Sequence, residues 1–314
     1  MKLKKPKFWD LKKPNFFALL LWPLSIVFKL LIFLKKKNKI KKNEIFTICI
    51  GNIYLGGTGK TSLAIKIKKI LENKGKKVCF IKKFYEDQID EQKLLNQNGK
   101  TFIKKKRLQA LDDAISENYN VAIFDDGLQD STVSYDLTFV CFNNLNLIGN
   151  GLLIPAGPLR EDLKSLRNYQ NVFLNGNKEN LENFKEKIKK INPNIDIFES
   201  EYVPTNLEKF DKNEKYFVFS GIGNHKTFIN MLKNENLNIL EDEEFPDHYN
   251  YSVEDINKIY QKAKNLNAKI ITTKKDFLRI GKTNNENLKF ISVELKIRNE
   301  SKLINILLDN NENN

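Results

Sequence analysis

Gly56-Gly57-Thr58-Gly59-Lys60-Thr61 joins a glycine-rich turn to a lysine and a hydroxyl, a grouping suited to holding a nucleoside triphosphate. Glycines free the backbone so that successive N–H groups wrap a phosphate at a helix N-terminus. Lys60 then reaches the β- and γ-phosphates, and the Thr61 hydroxyl is a ligand for Mg²⁺. The usual pattern, G-x-x-x-x-G-K-T, has glycine where this chain has Tyr54. The loop specifies a triphosphate and leaves kinase, ATPase and GTPase open. A second acidic element, Asp125-Asp126 before Gly127, ends an apolar run. It suits the Walker B role on Mg²⁺, although Asp-Asp-Gly is also a common turn after any strand.

A sheet must position these residues. Ile45 to Ile50 reads as a buried strand entering the loop, and Leu63, Ala64, Ile67, Ile70 and Leu71 fall on one face of a helix leaving it. Further strands are expected at Val78–Ile81, Val121–Phe124, Leu137–Phe142 and Val172–Leu174, with helical patterns between several of them. That alternation predicts an α/β fold with a parallel, doubly wound sheet, in which strand carboxyl ends carry ligands. A second, smaller α/β unit is expected to begin near Tyr216–Phe219. Its elements are the turn Ser220-Gly221-Ile222-Gly223-Asn224, a helix from His225 to Asn234, a helix from Ser252 to about Asn265, and strands at Ile270–Thr272 and Phe290–Leu295. A short helix and an Asn-rich, disordered tail close the chain. The domains expected are an anchor over 1–43, a P-loop core over 44–205 and a C-terminal domain over 206–314, with 206–215 as linker.

The chain has 314 residues, 41% of them hydrophobic, enough for about two ordinary domains. Cys49, Cys79 and Cys141 lie in apolar strand-like runs without metal-ligand spacing, which points to buried reduced thiols. Residues 1–43 hold thirteen lysines and one aspartate, so they carry +12 of the net +14. A nucleic-acid binder spreads its basic residues over a folded surface. Here they flank one apolar run, Phe16 to Leu34, which predicts an anionic membrane surface as partner and no nucleic acid. Lys29 within the run, and no small-residue cleavage site after it, argue against a signal peptide. A single span and an interfacial helix both remain. Pro23 and Lys29 favour the interfacial form, with Trp22, Ser25 and Lys29 sharing one narrow face. Lysines at 35–42 place the following domain on the cytoplasmic side.

Further islands carry more information: Ile89-Asp90-Glu91-Gln92, Asp125-Asp126-Gly127-Leu128-Gln129, Leu153-Ile154-Pro155-Ala156-Gly157-Pro158-Leu159-Arg160-Glu161, Gly221-Ile222-Gly223-Asn224 and Pro246-Asp247-His248-Tyr249. With the loop and the basic N-terminus, running from Phe8-Trp9 and Pro23-Leu24-Ser25 to Thr272-Thr273-Lys274-Lys275-Asp276, they resemble the tetraacyldisaccharide 4′-kinase family of lipid A biosynthesis. The resemblance implies a membrane-associated P-loop domain followed by a smaller α/β domain. It implies transfer of the ATP γ-phosphoryl group to the 4′-hydroxyl of a tetraacylated glucosamine disaccharide 1-phosphate, at the cytoplasmic face of the bacterial inner membrane. The implied partners are ATP, Mg²⁺ and the membrane-embedded lipid A precursor, with no obligate protein partner. Matching motifs give ATP to Gly56, Gly57, Thr58, Gly59, Lys60 and Thr61, and magnesium to Thr61 and Asp126, with Asp125 orienting the metal shell. They make Asp90 the general base, paired with His248, and line the substrate cleft with Arg160 and Glu161. On spacing alone Glu86, Asp87 or Glu91 would serve as well as Asp90, and His248 reads as a structural hydrogen-bonder. Departures from the family pattern stand at Lys82-Lys83-Phe84-Tyr85 (for Arg-Gly-Tyr-Gly), Gln92 and Ser62 (for proline), Asp130 (for histidine) and Lys274 (for glutamate). A membrane-recruited regulatory P-loop ATPase of the positioning and partitioning type is the competing reading. Such proteins carry a lysine before the glycine pair, where this chain has Leu55, and their membrane helix is usually C-terminal.

Overall fold

The computed structural model describes residues 5–34, 39–86, 88–176, 181–281 and 287–312. Lys35-Lys36-Lys37, Asp87 and the last two asparagines lie outside the described residues. Along the chain the strands are β1 (Phe46–Gly51), β2 (Val78–Lys83), β3 (Thr101–Lys104), β4 (Val121–Asp125), β5 (Leu137–Asn143), β6 (Asn171–Asn175), β7 (Asp196–Pro204), β8 (Lys215–Ser220), β9 (Asn238–Glu244), β10 (Lys269–Thr273), β11 (Leu288–Ile291) and β12 (Val293–Ile297). The helices are α1 (Phe16–Leu34), α2 (Lys60–Glu72), α3 (Ile89–Asn98), α4 (Arg107–Ser116), α5 (Glu182–Ile191), α6 (His225–Asn234), α7 (Val253–Asn265), α8 (Lys274–Ile280) and α9 (Glu300–Glu312).

One sheet has the order β12-β7-β6-β5-β1-β4-β2-β3, the other β11-β10-β8-β9. The ladders from β3 across to β7, and all those of the second sheet, are parallel. The α/β class with a parallel sheet is as expected. β1 sits between β4 and β5 and is buried along its whole length, so its carboxyl end opens at the middle of the sheet. All five apolar residues expected on α2 are buried against the sheet. Each large one contributes about 1.5–3 kcal/mol. The three cysteines are buried and free.

Contacts divide the chain into two compact units. The smaller comprises Tyr85–Leu94 and Tyr202–Lys296; the larger comprises the other described residues. The first part of α3, with Asp90, therefore belongs to the smaller unit, and α9 to the larger. The boundary falls at Glu201/Tyr202 instead of within 206–215. Asn206 is buried, and its side chain donates to the Phe290 carbonyl (3.0 Å). The single strand expected over Phe290–Leu295 is two strands in different sheets, β11 and β12. Ser292 breaks the run, bonded through its N–H to Asn206 Oδ1 and through its carbonyl to Thr205 N, both at 2.9 Å. Helix α9 takes in most of the Asn-rich run expected to be a disordered tail.

Helix α1 covers the predicted apolar run, capped by Asn15 Oδ1 accepting from Ala18 N (3.0 Å). Ala18, Leu21, Ser25, Phe28 and Ile32 form its less exposed stripe, with the alternating three- and four-residue spacing of a helix seam. The narrow face expected to be shared by Trp22, Ser25 and Lys29 is not uniform: Ser25 is buried, Lys29 pairs with Asp162 at 3.1 Å, and Trp22 is exposed. Among the described residues no helix is long and apolar enough to cross a membrane, and an interfacial placement of α1 is compatible with that.

Candidate active site

In the larger unit, β1 delivers the chain to the glycine-rich loop and α2 takes it away. Gly59 caps α2 with φ +86°, and Gly56 has φ +136°. Both lie in the left-handed range that favours glycine. Tyr54 has no positive φ, so the loop does not require the glycine its pattern would put there. Its ring instead packs with Leu153 and Leu159. Asn52 Nδ2 donates to Gly56 O (3.1 Å) and Thr58 Oγ1 (3.0 Å), and Asn175 Nδ2 to Thr58 O (2.5 Å). These bonds set the loop's shape.

Asp125, the last residue of β4, is fully buried. Its Oδ2 accepts from the Thr61 hydroxyl (3.2 Å) and from Lys82 Nζ (2.7 Å). The parallel register of β2 on β4 puts Lys82 opposite Asp125. Asp126 has φ +60°, with its N–H on Ile50 O (2.8 Å) and its carbonyl accepting from Arg107 Nη2 (2.5 Å). Its carboxylate faces Arg160 Nη1 (3.0 Å) and Lys60 Nζ (3.7 Å). Thr61 thus touches Asp125, and Asp126 touches the two cations. Arg160 also reaches Gln129 Oε1 (3.3 Å), and Gln129 Nε2 donates to Asn52 O (3.0 Å) and Glu161 Oε1 (2.8 Å). Lys60, Thr61, Asp125, Asp126, Arg160 and Glu161 therefore converge on the carboxyl ends of β1 and β4.

In the smaller unit, Asp90 Oδ1 lies 2.9 Å from His248 Nδ1. Asp90 is buried, and Arg279 Nε stands 3.4 Å from its Oδ2. Lys275 Nζ donates to Glu91 Oε1 (2.8 Å). His248 has φ +54° and bonds through its N–H to Gly221 O (3.0 Å), which also accepts from Arg279 Nη2 (2.8 Å). Gly221 N in turn donates to Asp276 Oδ1 (2.9 Å). The Gly-Ile-Gly-Asn turn thus holds the histidine, and the Lys-Lys-Asp segment starts the helix that supplies Lys275 and Arg279. Burial alone would raise the Asp90 pKa. The His248 hydrogen bond and the charges of Lys275 and Arg279 outweigh it and keep the carboxyl below its ordinary 3.8. Burial alone would lower His248, but its bond to Asp90 and the nearby Asp247 and Glu91 raise it above 6.5.

The sequence reading missed Arg279, Arg107 and Asn175. No motif marks them, because each acts by reaching backbone or carboxylate groups distant in the chain. It noted Lys82 only as a departure. The register of two parallel strands, which no local pattern encodes, makes it a partner of Asp125.

A parallel sheet with a phosphate loop after β1 and an acidic β4 terminus defines a P-loop nucleotide-binding protein. The family model of tetraacyldisaccharide-1-P 4′-kinase matches residues 17–312. A tetraacyldisaccharide 4′-kinase of Pelagibacter ubique is 58% identical over 314 residues, covering all of both chains. One of Rickettsia akari is 35% identical over 326 residues, covering 96% of each. The crystal structure of an "apo" form LpxK from Aquifex aeolicus in complex with ATP superposes with a TM-score of 0.68 at 21% identity, covering 93% of this chain and 99% of that one. The chain belongs to the tetraacyldisaccharide-1-P 4′-kinase family, and the regulatory ATPase reading is not favoured.

Proposed function

We propose that this chain transfers the γ-phosphoryl group of ATP to the 4′-hydroxyl of a tetraacylated glucosamine disaccharide 1-phosphate, on the cytoplasmic face of the bacterial inner membrane. The observation that carries the reading is end-to-end likeness to a tetraacyldisaccharide 4′-kinase at 58% identity. The intact Thr61–Asp125 contact beside Lys60 supports it.

Mg²⁺ fits the residues present. Asp125 Oδ1 is buried without a hydrogen-bond partner among the described residues, beside the Thr61 hydroxyl. Thr61, Asp125 and Asp126 would hold the ion. When bound, it neutralises charge on the phosphate oxygens. The loop N–H groups and Lys60 bind the β- and γ-phosphates, and Arg160, already beside Lys60 on Asp126, adds a second positive charge. Asp90, oriented through Oδ1 by His248, accepts the proton of the acceptor hydroxyl. Its lowered pKa makes it a weak base, so orientation and charge neutralisation supply most of the rate.

Among the described residues, eleven large apolar side chains of α1 are exposed, among them Phe16, Leu20, Trp22, Ile26 and Leu31. A continuous apolar face of that kind suits the interface of a bilayer, where the acyl chains of the acceptor remain. The deciding test incubates the protein with γ-labelled ATP, Mg²⁺ and the tetraacyl disaccharide 1-phosphate in detergent micelles. Label on the 4′-oxygen is expected; folded protein that binds ATP and labels nothing overturns the proposal.

A further inference from the structure

Ser25 sits in the mostly apolar α1 and is 4% exposed. Its hydroxyl donates to Leu153 O (2.8 Å) and accepts from Ala156 N (3.1 Å). Trp9 Nε1 donates to Pro155 O (3.0 Å), and the Trp9 carbonyl accepts from Asn150 N (2.9 Å). The N-terminal segment therefore grips one loop at Asn150, Leu153, Pro155 and Ala156. That loop is cross-braced by Ile154 N on Leu159 O (2.9 Å), Leu159 N on Leu152 O (3.0 Å) and Asn150 Nδ2 on Ala156 O (2.9 Å). A Cβ at Gly157 would stand 2.2 Å from Asn150 Oδ1, so the turn has no slack. Its far end lies on the entry to the phosphate loop, with Leu55 N on Pro158 O (2.8 Å) and Arg160 N on Ile53 O (2.7 Å). The next group along is the Arg160 guanidinium on Asp126.

We infer that Ser25 and Trp9 are positioning residues for phosphoryl transfer. They fix the Leu153–Arg160 loop, and through it the place of Arg160 beside Asp126 and the phosphate loop. The seat of α1 thus bears on turnover itself and not only on attachment to a surface. This rests on the kinase reading above. A misplacement of about 1 Å at a distance from the chemistry can cost roughly a hundredfold in rate, so a relay of short hydrogen bonds is sufficient to matter.

The test uses the full chain with Ser25→Ala, Ser25→Thr and Trp9→Phe, the last removing the indole N–H while keeping an aromatic ring. In micelles carrying the tetraacyl disaccharide 1-phosphate, Ser25→Ala and Trp9→Phe should lower kcat roughly tenfold or more. ATP affinity and micelle binding should hold, and Ser25→Thr, which keeps the hydroxyl, should recover most of the loss. Hydrogen exchange should quicken at the amides of Ala156, Leu159 and Arg160 in Ser25→Ala. Should Ser25→Ala fail to fold, Trp9→Phe carries the same comparison. Wild-type kcat in Trp9→Phe and Ser25→Ala, or a loss confined to the acceptor KM that tracks weaker micelle binding, overturns the inference while leaving the kinase reading intact. A wild-type protein that transfers no phosphoryl group removes both.

Discussion

Asp126 and His248 each hold a left-handed backbone, φ +60° and +54°, that costs an L residue about 1–2 kcal/mol. Such strain persists where the surroundings over-determine it. Here Ile50 O and Arg107 hold Asp126, and Gly221 O holds His248. If Asp90 and His248 act as one proton-accepting unit, Asp90→Ala and His248→Ala should each depress turnover, and the double variant should be no worse than about the worse single one. Costs in transition-state free energy that add, measured on folded protein at saturating ATP, would sink the pairing. The pair also sets a pH window for stability. The Asp90 pKa is lowered on folding, so its contribution is full above the unfolded value of 3.8 and fades as pH falls through the folded one. The His248 pKa is raised, so its contribution is full below 6.5 and fades as pH rises through the folded one. The stability gap between the native chain and the double variant, from denaturant titrations, should therefore be widest between about pH 4 and 6.5 and narrow on both sides. Lys82 offers a simpler case. With Lys82→Met the buried Asp125 loses its cation, and denaturation should show a loss of about 3–5 kcal/mol; an unchanged midpoint would show that Asp125 finds other compensation.

At the scale of elements, the loop, α2, β4, α6 and α7 were legible because local chemistry marks them. Glycines precede Lys60-Thr61, and Ser252 with Asp255 forms a capping box at α7. What escaped was decided at a distance. β9, Asn-Ile-Leu-Glu-Asp-Glu-Glu, has no apolar alternation, since it is an edge strand mostly open to solvent, where charge discourages further pairing. The split between β11 and β12 follows from a change of sheet that an apolar run does not record. For α1 the sequence located the helix but not its docked side, because one stripe of Ala18 and Ser25 is hard to tell from its neighbours. That stripe separates two kinds of substitution. Asparagine at Leu20, Ile26 and Leu31 should weaken vesicle binding while stability changes by no more than about 0.5 kcal/mol for each. Ala18→Leu, at a site with no exposure, should cost about 1–3 kcal/mol. A thermal scan and a flotation assay on both variants distinguish them; equal effects would mean the docked stripe has been misassigned.

At the scale of the whole molecule, the charge is lopsided, with +12 of +14 in the first 43 residues. Yet four of the thirteen lysines are answered from within: Lys5 pairs with Asp10, Lys29 with Asp162, Lys41 with Asp136 and Lys42 with Asp112. Those four lysines already have counter-charges that bulk salt does not supply. How the protein is extracted follows from that. A thirteen-lysine tether with no internal partners would be washed off anionic vesicles by molar salt, since exposed charges are screened within about 3 Å there. With several lysines spoken for and the apolar face of α1 carrying the rest of the attachment, a salt wash should leave most of the protein in the vesicle pellet, and mild detergent should release it.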